Sequence, residues 1–396
     1  PFMRATIYPG KLQGTIRVPS SPALTQRAIL GACLCDSHTL IRAECADAQT
    51  LALEGVLAEA GFPVAHDGTH YLCRGHSAFR QNAVIDCQKN IAALDFLLPL
   101  VPQGTTFQNL PPLTAGAFSL RSRILSPHGR SFSLKDGTLT VSGALKSGVY
   151  PFASPVCIRL ACALLFALAQ LDGVSMLNIG ARAAQMRPYL EMTGQMLSRF
   201  GVRVMPSASG YVVCGNQKFV SPGKITVEGD WICGAFVAAA QNMGDAISVS
   251  NLRLDTQQPE EQIRALLLRL GGIVPVGENL ALLPALCAAA AVKSGTTIFR
   301  GFPAQNDPRA KAISQVLNAL GVRTDLYDDA MTVRGGTLYG GECVDSHGDS
   351  RIAMSVFFLA PHAMHPTELQ HAEAVLKADP SFFERFRALG GVMILD

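Results

Sequence analysis

The chain has little charge and few aromatic rings. Asp, Glu, Lys and Arg make up 16% of its 396 residues, Phe, Trp and Tyr 7%, and there is one Trp. The 33 basic and 30 acidic residues leave a net charge of +3 and form no basic run. A nucleic-acid partner is therefore not expected. No stretch reaches about 18 uninterrupted apolar residues, so no membrane span is expected. The most apolar stretch, Leu160–Leu171, has the length of a buried core helix. Met3 is followed at once by a strand-like, polar-interrupted segment, so no signal peptide is expected either.

Several chemical motifs are missing as well. There is no GxxxxGK[ST] nucleotide loop, no GxSxG nucleophile elbow and no HExxH zinc helix. His66 and His70 have HxxxH spacing, but HDGTH reads as a turn. The 11 cysteines are odd in number, scattered and without paired CxxC spacing. They read as reduced thiols of a cytoplasmic protein, with no disulfide framework and no metal site.

What the chain does have is a repeat. An apolar helix ends in a Gly- or Asp-bearing turn and feeds a short β-rich run. Copies begin near Arg27, Ile91, Ile158, Gly234, Leu283 and Arg351. A second, amphipathic helix usually follows, as in RPYLEMTGQMLSRFGVRV and RAKAISQVLNALGVRTDL. Most of these end in Gly before a β-branched pair, a helix C-cap leading into a strand. The second copy is the weakest, since LRSRILSPHGRSF contains Pro127 and Gly129. Six units at roughly 65-residue spacing predict an internally repeated α/β fold of two domains. The first helix of each unit, apolar nearly all round, is expected to be buried, and the second to cover an outer face.

Val18–Ala28, VPSSPALTQRA, joins a short strand to the first apolar helix. A Ser/Thr/Pro turn opening a helix suits an anion, and Arg27 adds a charge one turn inside. Pro22 and Ala23 stand where donors would be expected.

GTIRVPSS near the start, SHGDSRIAM at Ser346–Met354 and VLKADPSFFERFRALGG at Val375–Gly391, with ALLFALAQLDG, PYLEMT and LNALGV, resemble the EPSP synthase family of enolpyruvyl transferases. The resemblance spans nearly the whole chain. It implies a two-domain inside-out α/β barrel fold (α+β in content), with three βαβαββ repeats per domain around buried helices. Residues 17–215 would form one domain and 1–16 with 216–396 the other, with the ligand cleft between them. The family transfers enolpyruvyl from phosphoenolpyruvate to shikimate 3-phosphate in aromatic amino acid biosynthesis, without metal or organic cofactor. The implied ligand is thus a small anionic metabolite.

Carried over residue by residue, the resemblance implies substrate-binding roles for Ser21, Arg27, Tyr189, Arg309, Asp349, Arg351 and Lys377. Arg309, Arg351 and Lys377 match cations that hold phosphoenolpyruvate, and Tyr189 lies beside the shikimate phosphate. The acid–base set is replaced. Pro22 stands for the active-site lysine, Ala281 for the aspartate assigned as base, and Asn306 for a glutamate assigned to proton transfer. Gln305 and Ser350 replace a lysine and a histidine. The Ser-Ser-Gln that grips the shikimate phosphate becomes Cys157, Ile158 and Arg159, and Met186 replaces a further serine. The glycine-rich segment before an arginine becomes Gln88–Asp95, and Gly116 stands for another arginine. Asp95, in place of that first arginine, is expected to repel anions.

Three readings follow. The chain is a catalytically silent relative serving as a binding or regulatory subunit, with a protein partner. Or it is a repurposed enzyme that binds a different phosphorylated or carboxylated anion near Arg159, with Cys157 and Cys233 as thiols at helix N-termini. Or it is an active synthase with an unusual site, against which the lack of a lysine between Ser20 and Arg27 counts.

Overall fold

The computed structural model describes residues 2–44, 47–75, 78–112, 115–153, 158–277 and 279–396. Twelve α-helices lie within them: α1 (Pro22–Cys33), α2 (Ala48–Glu59), α3 (Ile91–Leu97), α4 (Ala115–Leu125), α5 (Ile158–Leu168), α6 (Arg187–Arg199), α7 (Trp231–Met243), α8 (Ile263–Leu267), α9 (Leu283–Val292), α10 (Pro308–Ala319), α11 (Ser350–Leu359) and α12 (Phe382–Ala388). The apolar-all-round helices are the buried ones. Leu160–Leu168 of α5 and Leu283–Ala291 of α9 are shielded throughout. The alternate helices bury one face, as their amphipathic sequences require. Among the described residues, no helix is long and apolar enough to cross a membrane.

Each buried helix belongs to one repeat. In the second repeat, Val84–Asp86 runs parallel to Thr106–Gln108, because α3 crosses over between them. Thr106–Gln108 pairs antiparallel with Thr138–Ser142, which pairs with Ser131–Lys135. That last hairpin turns on Asp136 and Gly137, both at positive φ (48° and 73°), as a two-residue turn requires. The strand order is therefore first, second, fourth, third, and five of six sheets share it. The second repeat is complete: Pro127 sits in a 3-10 turn after α4 and only ends the helix. The incomplete copy is the fourth, where Ala246–Val249 pairs with Gln13–Ile16 alone. No hairpin follows α8, because Ile273–Pro275 already pairs with Gly295–Arg300 of the next sheet.

The chain divides into two units, Ser20–Val227 and Glu228–Asp396 with the N-terminal segment to Pro19, each with its own hydrophobic core. The N-terminal strand Arg4–Ile7 lies between Thr367–Gln370 and Met393–Leu395 in the last sheet. The crossovers fall later than the 16/17 and 215/216 expected from sequence. Lys224–Thr226 supplies the first strand of the first repeat by pairing with Thr39–Arg42, which keeps it in the first unit. Val18 stays in the other unit through two hydrogen bonds with Asn251.

Candidate functional site

In the unit containing the C-terminus, the sequence-selected cations gather at the start of α11. Asp349 caps that helix: its Oδ1 accepts from the Arg351 N–H at 2.8 Å and the Ile352 N–H at 3.4 Å. The other oxygen accepts from Arg309 Nε at 2.8 Å. Arg309 is placed by the first turn of α10, itself capped by Asp307. Lys377 closes the group from the end of a 3-10 turn, its Nζ donating to the Gly348 carbonyl at 2.8 Å. Burial pushes the Asp349 carboxyl up, but the Arg309 charge and hydrogen bond outweigh it and hold it below the usual range. Burial and the neighbouring Arg309 charge pull the Arg351 guanidinium down, opposed by Asp349, Asp230 and Glu260. The N-cap carboxylate already takes the first free N–H groups of α11. Any anion held here would meet side-chain cations rather than the bare helix end.

His371 and Asp345 adjoin this group and gave no signal in the sequence. His371 Nδ1 lies 2.7 Å from Asp345 Oδ1, and the His347 backbone N–H donates to the same oxygen at 2.7 Å. Ser346, within SHGDSR, donates its hydroxyl to the His371 carbonyl at 3.0 Å rather than to a ring nitrogen.

In the other unit, the opening motif is a finished helix start. Ser21 caps α1, its Oγ accepting from the Leu24 N–H at 3.5 Å. Pro22 takes the first helical position, where a missing N–H costs nothing. Arg27 is 3% exposed, and each of its three nitrogens has a partner. These are Thr193 Oγ1 at 2.7 Å, the Ala23 carbonyl at 2.7 Å and Cys162 Sγ at 3.1 Å. The Thr193 hydroxyl in turn donates to the Tyr189 carbonyl at 2.6 Å. Arg27 thus braces α1 against α5 and α6.

Asp95, expected to repel anions, is neutralised instead. Arg121 of α4 grips it from two nitrogens, at 2.6 and 3.0 Å, and both side chains are 4% exposed. Burial pushes the Asp95 carboxyl up, and the Arg121 hydrogen bonds and charge oppose it. No sequence pattern singled out Arg121. Arg159, in the first turn of α5, donates to Gln49 Oε1 at 3.2 Å. Burial lowers its pKa, Asp95 opposes that, and Arg27 adds to it.

The remaining sequence-selected residues scatter. Ile158 opens α5 and is partly buried, Met186 is fully buried just before α6, and Cys157 lies outside the described residues. Gly116 is exposed on α4, and Ser350 is the first residue of α11. Ala281 sits in a 3-10 turn before α9. Two residues earlier, the Asn279 amide is buried, with no partner among the described residues for its nitrogen or oxygen. Asn306 is exposed, and Gln305 donates to the Leu326 carbonyl at 3.2 Å. Cys233 is no activated thiol: burial, Asp230 and Asp379 raise its pKa well above the ordinary value. Among the described residues, no three His, Cys, Asp or Glu side chains are grouped to hold a metal ion.

Gln88–Asp95 opens on a strained turn. Gln88 and Lys89 adopt φ of 48° and 57°, the left-handed region that favours glycine. The turn holds because the Gln88 N–H donates to Asp86 Oδ1 at 2.7 Å and the Lys89 N–H to the Asn109 carbonyl at 2.8 Å.

Against known proteins, the sequence matches the family EPSP synthase (3-phosphoshikimate 1-carboxyvinyltransferase) over residues 7–282 and 272–386. A 3-phosphoshikimate 1-carboxyvinyltransferase of Clostridium kluyveri is 28% identical over 424 residues, covering 98% of this chain and 97% of the relative. One from Clostridium botulinum (strain Eklund 17B) is 26% identical over 421 residues, covering 97% of each. An EPSP synthase structure from Acinetobacter baumannii superposes with TM-score 0.83 at 18% identity, over 100% of both chains. The enolpyruvyl transferase NikO from Streptomyces tendae superposes with TM-score 0.79 at 16% identity, over 100% of this chain and 99% of that one. These two likenesses are of fold.

Proposed function

The chain belongs to the EPSP synthase family, and from that premise we propose that it has lost enolpyruvyl transfer and keeps a grip on a small anion. One observation carries the loss. The helix start that should present a lysine has become purely structural, with Pro22 at its first position, the Ser21 hydroxyl spent on Leu24 and Arg27 bonded internally. Ala281 and Asn306 supply neither base nor acid. A single positioned acid or base contributes about 10²–10⁴ in rate, so what remains is binding and orientation.

The retained grip rests on Arg309, Arg351 and Lys377 around Asp349. Their charge suits a carboxylate or phosphate such as phosphoenolpyruvate. A protein that binds without turnover serves as a binding or regulatory subunit, and a protein partner belongs to this reading. A second reading, a repurposed enzyme, draws on Arg159, a largely buried guanidinium with one hydrogen bond to Gln49.

Phosphate release in the presence of phosphoenolpyruvate and shikimate 3-phosphate tests the loss. No turnover is expected, and a rate of about one per second, ordinary for an enzyme, would overturn it in favour of an active synthase with an unusual site. Thermal shift with phosphoenolpyruvate alone tests the grip. Stabilisation that Arg351→Ala removes is expected; no shift would overturn it. A shift only with other phosphorylated or carboxylated metabolites, lost in Arg159→Ala, would favour the second reading.

A further inference from the structure

The turn that carries the cations has a counterpart in another repeat. The first strand of the second repeat ends at Asp86, and that of the sixth at Asp345. Each carboxylate accepts from the backbone N–H two residues on: Gln88 to Asp86 Oδ1 and His347 to Asp345 Oδ1, both at 2.7 Å. In each, the residue just past the second strand closes the turn with its side chain. Asn109 Nδ2 donates to Asp86 Oδ2 at 2.9 Å, and His371 Nδ1 lies 2.7 Å from Asp345 Oδ1. Asn109 and His371 share a left-handed backbone, with φ of 46° and 55°. Asn and His adopt that conformation more readily than most residues. The turns match as well. Gln88 and Lys89 have φ of 48° and 57°, and His347 and Gly348 of 51° and 71°. Each turn leads into the residue that caps a buried helix, Asn90 for α3 and Asp349 for α11. The fifth repeat has Gly301, φ 95°, at the same place and no acid in Ile273–Pro275, so no side chain closes its turn.

In the sixth repeat this clasp joins the two segments that hold the cations. Asp345 leads through the turn to Asp349 and Arg351, and His371 opens the 3-10 turn that ends at Lys377. Ser346 adds a second tie. Its hydroxyl donates to the His371 carbonyl at 3.0 Å and accepts from the Gly348 N–H at 3.2 Å. The far end is closed by Lys377 Nζ on the Gly348 carbonyl. His371 is also fixed from the N-terminal segment: the Ala372 N–H donates to the Met3 carbonyl at 3.0 Å, and the Phe2 ring lies 4.8 Å from the imidazole. Burial pushes the Asp345 carboxyl up, but the His347 N–H and the His371 ring outweigh it and hold it below the usual range. An ionised carboxylate only accepts, so Nδ1 carries the ring proton. An anion that engages Lys377 competes with the Gly348 carbonyl for its N–H groups, and the His371–Asp345 contact then holds the turn.

We propose that His371 is a positioning residue of the anion grip: its contact with Asp345 sets the Ser346–Gly348 turn, and thereby the placing of Lys377 against Asp349, Arg309 and Arg351. This role rests on the anion reading above. It gives the chain's own residue at 371 a task that the second repeat performs with Asn109.

Calorimetric titration with phosphoenolpyruvate, together with amide hydrogen exchange of the turn, tests it. His371→Ala is expected to weaken binding about tenfold, as loss of one charge-assisted hydrogen bond would, and to speed exchange at His347 and Gly348. His371→Asn copies the second repeat, with the amide nitrogen in the place of Nδ1 on a backbone that Asn tolerates. It is expected to restore affinity and exchange to within about twofold of the wild type. Asp345→Ala should match His371→Ala, and carries the test if that variant does not fold. The double variant should bind no more weakly than either single one, since the two side chains act through one contact. Binding that both single alanine variants leave intact, even with faster exchange, overturns the positioning role alone. So does a loss that His371→Asn fails to restore. No binding by the wild type overturns the anion reading, and the role of His371 with it.

Discussion

The two units treat their inherited charges in opposite ways. In the unit Ser20–Val227, Arg27 is enclosed and bonded through each of its three nitrogens, and Asp95 and Arg121 form a pair only 4% exposed. In the other unit, Arg309 and Asp349 are 32% and 28% exposed, the Arg351 N–H donates to the same carboxylate, and Lys377 donates to the neighbouring Gly348 carbonyl. A charge closed in on all sides contributes to the fold. A charge with an open side can still meet a ligand. One unit holds these charges inside its core as braces, while the other leaves its charges partly open to solvent.

The sharpest way to break this contrast is to remove one carboxylate from each unit. Asp95→Ala strands the Arg121 charge in the interior and should cost about 3–5 kcal/mol in urea unfolding. The double change Asp95→Leu with Arg121→Met should recover most of that, since two matched apolar groups need no counter-charge. Asp349→Ala removes a helix cap and a partly exposed ion pair, which together should cost only about 1–2 kcal/mol. Equal costs at the two sites would dissolve the distinction.

The pH dependence sharpens it further. The Asp349 carboxyl lies below its ordinary value in the folded chain. Its contribution is therefore whole above the unfolded value of about 3.9 and fades as pH falls through the lower folded one. The stability gap between the wild type and Asp349→Asn should be level from about pH 7 to 5 and close below about pH 4. A gap that widens on acidification would contradict the assigned direction. The smallest expected effect is at the converted turn of the first unit. Lys89→Gly should raise stability by about 1 kcal/mol by relieving the left-handed backbone. A loss of stability would mean that the Lys89 side chain contributes more than its backbone strain costs.

Much of the fold was legible because it repeats. The apolar helices beginning near Ile158 and Leu283 are hydrophobic on all sides, which only a buried position tolerates. The breaks in LRSRILSPHGRSF misled, because Pro127 terminates α4 without disturbing the strands that follow. The incomplete fourth repeat was not legible, since its missing hairpin is defined by where Ile273–Pro275 finds its partner. The effect of Asp95 could not be read either. Its neutralising arginine is 26 positions away and makes contact only once α3 and α4 are packed.

By itself the sequence determined which chemical groups are absent. Proline at 22, alanine at 281 and asparagine at 306 carry no side-chain acid or base, whatever the backbone does around them. It also determined the repeat, because helix and strand periods are local properties of the chain. Which of the surviving cations remain open was decided by tertiary structure alone. Arg27 and Arg309 have the same side chain. Thr193, Cys162 and the Ala23 carbonyl engage all three nitrogens of the first inside a core, while a partly exposed carboxylate engages the second. Burial and hydrogen-bond saturation depend on neighbours brought from distant helices, and no local pattern records them.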